Sequence, residues 1–115
     1  MTPLVTLEQV DLALRLDLEK ETAGQPPVTT YTDERKPDIE WKMAQATEIV
    51  IDYLKKPDHE WTVADVPGQV SAAIILVIRA LFDGEEAELL SGLAKGDTAT
   101  PVVALLMRLR DPALA

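Results

Sequence analysis

The segment from Pro67 to Asp83 limits most strongly what this chain can fold into. Val70, Ile74, Ile75, Val77, Ile78, Leu81 and Phe82 put apolar side chains on nearly every side of a helix, so that helix must be enclosed by other elements or by another subunit. The same β-branched residues would suit a buried strand. The apolar segment is too long for a typical strand, however, and Gly84 follows where a helix end takes a left-handed residue. The spacing therefore predicts a central helix, with Pro67 in its first turn and Asp65 as a nearby N-cap. Arg79 interrupts the run between Ala72 and Phe82 well short of the roughly 20 apolar residues that cross a bilayer. A soluble protein without membrane contact is expected.

Other helices are needed to enclose this one, and the sequence supplies them. Thr6 and Gln9 have the spacing of a capping box, and Leu7, Val10, Leu14 and Leu18 recur on one stripe behind it. A second helix is predicted from Pro37 through Ile39, Met43, Ala46, Ile49, Val50, Tyr53 and Leu54, closing at Lys55 and Lys56 before Pro57. An acidic stretch, Glu85, Glu86 and Glu88, leads through Leu89, Leu90 and Leu93 to Gly96. Thr100 and Pro101 then cap and open a last short helix that carries Val102, Val103, Leu105, Leu106 and Leu109 and ends with Arg108 and Arg110. Between the first two helices, Lys20 to Lys36 is polar and rich in Thr and Pro, and reads as a long mobile loop that serves either as a binding segment or as disorder for a partner to order. The expected fold is all-α: one domain over residues 1–115, a small bundle of about four helices with a long loop between helices one and two.

Chemistry-bearing patterns are sparse. The chain has no cysteine and one histidine, so disulfides and cysteine metal sites are excluded, which favours an intracellular origin. The first twenty residues carry Glu8, Asp11, Asp17 and Glu19, unlike a secretory signal. His59 lies between Asp58 and Glu60, but adjacent loop residues seldom converge on one ion. Ser71 falls on the apolar helix and Ser91 in an acidic segment, neither beside a base. No glycine-rich phosphate loop is present. An enzyme is not expected, nor a cofactor or metal. The net charge of −9 is concentrated in the first third and around Glu85–Glu88, and only the C-terminal tail has more bases than acids. Tight nucleic-acid binding, which draws on clustered Lys and Arg, is not expected of such a chain.

Four features point instead to protein contacts. Trp41 and Trp61 are residue types enriched at interface centres, although core packing is the default reading of each. Arg108 and Arg110 offer two cations near the C-terminus, and helix-end stabilisation explains them as readily as a partner does.

The order of parts resembles the head–tail connector (head-completion, or adaptor) family of long-tailed bacteriophages. The segments that carry the likeness are TLEQVDLALRLD, EIVIDYLKK, VPGQVSAAIILVIRALFDGEE and TPVVALLMRLRDPALA, which cover most of the chain. In that family a Val-Pro or Leu-Pro step introduces an apolar helix ending in an aromatic and acidic residues, and a final helix reads Pro, two apolar residues, Leu-Leu and a closing base. Val66, Pro67, Phe82, Pro101, Leu105, Leu106, Arg108 and Arg110 match this pattern. The loop from Lys20 to Lys36 departs from it, being longer and richer in Pro and Thr, so no contacts are carried over for it.

The resemblance implies a virion protein of the head–tail neck, assembled in the bacterial host cytoplasm. It would form a homo-oligomeric ring of about twelve copies under the portal protein, extend the DNA channel and dock a tail-side neck or stopper protein. DNA would pass through without specific binding, since an electronegative lumen repels phosphate. By analogy the tail, with Arg108, Arg110, Asp111, Pro112 and Leu114, is the expected portal contact, and Trp41 and Trp61 are expected at the subunit interface. The rival class is a small helical regulatory or antitoxin-like module that binds one protein partner through the same apolar faces, and stoichiometry separates the two.

Overall fold

In the computed structural model, which describes residues 2–110, the expected central helix is α3, Gly68–Asp83. It packs against α1 (Leu7–Leu14), α2 (Lys36–Leu54), α4 (Glu86–Lys95) and α5 (Pro101–Leu106). Val70, Ala73, Ile74, Val77, Ile78 and Ala80 turn inward, and Gln69, Ala72, Arg79 and Phe82 face out, so α3 keeps one solvent-facing strip. It stops at Gly84, whose φ of 70° suits a residue without Cβ, and the Glu85 N–H reaches back to the Ala80 carbonyl at 2.9 Å. Asp65 does not cap this helix. Its carboxylate instead accepts the Thr62 N–H at 2.6 Å, which closes the loop before α3 and lowers the Asp65 pKa.

The capping box of α1 forms as its spacing predicts: Gln9 N–H donates to Thr6 Oγ1 at 3.2 Å, and Thr6 N–H to Gln9 Oε1 at 2.8 Å. The buried Thr47 hydroxyl donates to the Met43 carbonyl at 2.9 Å and accepts the Leu4 N–H at 3.3 Å, which fastens the N-terminal segment to α2. Two expectations for the C-terminal third need correction. The stretch after Gly84 is itself a helix, α4, making five helices among the described residues rather than about four. The last helix ends at Leu106 and not at Arg110, and Thr100 makes no capping hydrogen bond. Thr100 is instead committed to packing: a Cβ on Gly92 would lie 2.1 Å from its hydroxyl oxygen, so only glycine lets α4 approach this closely.

The largest correction concerns residues 20–36. Instead of a mobile loop, residues 20–31 form a hairpin, β1 (Lys20–Ala23) against antiparallel β2 (Val28–Tyr31), with Lys20 opposite Tyr31 and Ala23 opposite Val28, and Lys36 already opens α2. The fold is thus mainly helical and not purely all-α. Every strand residue is exposed except the half-buried Tyr31, so the hairpin stands away from the helical body as an arm. The molecule is correspondingly long, 49 × 30 × 19 Å. Its radius of gyration is 15.2 Å, against about 13 Å for an ordinary domain of this length. Among the described residues no helix is long and apolar enough to cross a membrane.

Candidate assembly surfaces

The arm is held firmly at its base. The α1 helix ends in left-handed residues at Arg15 and Asp17, which turn the chain so that Leu18 is buried and its N–H donates to the buried Asp11 carboxylate at 3.2 Å. Asp33 then gathers three donors across the neck of the hairpin: the Glu19 N–H at 3.0 Å, the Arg35 N–H at 2.9 Å and the Arg35 guanidinium at 3.0 and 3.1 Å. The same guanidinium donates to the Leu16 carbonyl at 2.9 Å. Hydrogen bonds from the Arg35 side chain, then from the Arg35 and Glu19 backbones, hold the Asp33 carboxyl far below its ordinary range.

A folded-state pKa depressed in this way contributes stability above the unfolded value of 3.8 and loses it as pH falls through the folded value. The clamp should therefore hold at neutral pH and open only in strong acid. Asp33→Asn should release it at pH 7. The expected result is faster amide exchange at Glu19 and Thr32, whose N–H groups bond at the arm's base, with the protection of α3 unchanged. Equal protection at Glu19 in both proteins would contradict the clamp.

The two tryptophans separate. Trp61 is half-buried on the hydrophobic core, with the His59 ring 5.6 Å away and the His59 Nδ1 accepting the Trp61 N–H at 3.2 Å. Trp41 is 66% exposed on the outward stripe of α2, near the start of that helix, flanked one turn away by Pro37, Asp38 and Gln45 and further along by Glu48 and Asp52. Nearby, the Lys42 ammonium lies 5.0 Å from the centre of the partly exposed Phe82 ring.

The two arginines also separate. Arg110 is engaged by its own chain: Nε donates to the Tyr53 carbonyl at 3.1 Å and the guanidinium lies 5.2 Å from the Tyr53 ring centre, tying the chain end to the last turn of α2. Arg108 is exposed. Asp111, Pro112 and Leu114 lie outside the described residues.

An open cleft of about 540 Å³ separates α4 from α3 and the start of α5. Leu76, Leu89 and Val102 line it together with Arg79, Lys95 and Glu88. Ser91 is at its edge, while the one imidazole of the chain belongs to His59, in the loop before α3. Among the described residues no three His, Asp or Glu side chains are grouped to hold a metal ion. Comparison with protein-family models, curated proteins and solved structures found no match.

Sequence reasoning missed the arm and its clamp. Thr22, Thr29 and Thr30 are favourable strand residues, and Gly24 and Pro26 are turn residues, so the composition held a hairpin signal. The usual alternation was missing because neither face of the hairpin is buried.

Proposed function

We propose that the chain is a structural head–tail connector of a tailed phage, prophage or gene-transfer particle, a ring subunit that docks beneath the portal protein and receives the next neck protein. The observation that carries this reading is the pairing of two unlike, outward features on one small subunit: a clamped, projecting arm and an exposed Trp41 on a helix face. Closed rings of identical copies need two different complementary surfaces per subunit, whereas a two-fold dimer needs one. Acidic residues in the first turn of α4, Glu86 and Glu88, would keep such a ring from holding DNA. The order of sequence segments described above supports the same reading. In it the protein is a virion component without catalytic residues, cofactor or membrane contact.

The portal contact is proposed for the exposed Arg108 and for the residues after Arg110. Arg110 itself has a structural task at Tyr53. Removing residues 111–115 while keeping Arg110 should leave the fold and its unfolding transition unchanged and abolish co-sedimentation with DNA-filled, portal-bearing heads. Undiminished attachment of the truncated protein would remove the tail from the docking site. Failure of the intact protein to sediment with heads, together with a one-to-one complex with some other protein, would favour the regulatory module.

A further inference from the structure

The arm and Trp41 have matching chemistry, and we propose that they are two halves of one contact: the arm tip of one copy, Pro26, Pro27 and Val28, packs on the indole of Trp41 in the next copy. This rests on reading the chain as a self-assembling ring subunit and names the surfaces that join neighbours.

The arm is built to be covered. In a chain with 27% charged residues, Thr22 to Thr32 carries no charge, although every residue in it but Tyr31 is exposed. Strand edges that live in water are commonly protected by charge, Lys above all, and an isolated pair of strands gains little from burial. The tip adds two proline rings without N–H donors and Val28, which is 61% exposed. Proline rings and a valine side chain can pack on the flat face of an indole, which takes them without requiring hydrogen bonds. Trp41 offers such a surface, and it is the one exposed indole on the helical body.

Charge selects how two copies meet. Along the outward stripe of α2, Glu48 and Asp52 follow Trp41 by two and three turns, and Asp38, one turn before it, is paired with Lys42. A symmetric contact along this stripe would bring Glu48 and Asp52 toward the same acidic surface of a second copy, in a protein that already carries a net charge of −9. The uncharged outer part of the arm, Thr22 to Thr32, can lie on the same stripe without like-charge repulsion. Its own subunit's arm does not cover Trp41, because the Asp33–Arg35 clamp fixes where the arm leaves the body and the indole stays 66% exposed. An arm-to-face contact is heterologous, each copy giving one half and receiving the other, and it propagates until a ring closes.

The test uses the full chain and two variants altered only at exposed positions: Trp41→Ala, which keeps the arm, and Pro26→Ser/Pro27→Ser/Val28→Ser, which keeps the indole. Circular dichroism should show both folded. Sedimentation velocity over a concentration series should show the parent protein associating. Each variant should associate at least about thirtyfold more weakly, the usual loss at a central interface tryptophan. Mixing the two variants should restore a heterodimer and nothing larger, because only one intact arm and one intact indole remain.

Association of either variant as strong as the parent's, or a mixture that stays monomeric while the parent associates, would overturn the contact and leave the ring reading standing. A parent that stays monomeric up to its solubility limit would also overturn it, and attachment to heads would still decide the connector reading separately.

Discussion

Ile78→Ala is expected to lower unfolding stability by about 2–5 kcal/mol, a large part of the roughly 5–15 kcal/mol available to a small domain. Ile78 is fully buried on α3, the helix that all four other helices contact. Truncation there removes buried methyl groups and leaves a cavity that close-packed neighbours fill only in part. Urea unfolding should show a lower midpoint with an unchanged slope. Trp41→Ala removes a larger side chain yet should change the unfolding free energy by no more than about 0.5 kcal/mol, because the indole is mostly in water. That contrast separates the residues that hold the fold from the residue proposed to hold the ring. A Trp41 variant as unstable as the Ile78 variant would place Trp41 in the core.

The second large effect should come from one hydroxyl. Thr47→Val keeps the shape of a fully buried side chain and removes the oxygen that accepts the Leu4 N–H. Leu4 is itself buried, 3% exposed, so its N–H would be left without a partner away from water, at a cost of about 1–3 kcal/mol. Amide exchange at Leu4 should accelerate more than exchange in α3, because the N-terminal segment has lost its tie to α2. Thr47→Ser, which keeps the oxygen, should retain most of the protection. Exchange at Leu4 unchanged in Thr47→Val would show that packing alone holds that segment.

The parts of this fold that could be read from sequence are those where a buried face leaves a period. Leu7, Val10 and Leu14 behind the Thr6 and Gln9 box gave α1, and the apolar run from Val70 to Phe82 gave α3 as the central helix, though not its solvent-facing strip at Arg79 and Phe82. The arm left no such period: its strands bury neither face, so alternation, which reports one buried face, was absent and the segment read as a loop. The α4 helix was obscured for a related reason, since Gly92 is its one buried residue and its leucines are only partly covered.

Long-range polar ties were out of reach of any local pattern. The bond from Arg110 to the Tyr53 carbonyl spans 57 positions, and the Asp33 clamp depends on the chain turning back at Arg15 and Asp17. Of the proposed contact residues, sequence composition singled out both tryptophans alike. Only burial distinguished Trp41, free on α2, from Trp61, half-buried on the core.

Electron cryomicroscopy of the purified protein added to DNA-filled, portal-bearing heads from the same source tests the account most directly. It predicts a closed ring of identical copies at the portal vertex, with arms joining neighbours and acidic side chains lining the channel. A bare vertex, with the protein recovered instead in a one-to-one complex with a different partner, would contradict it.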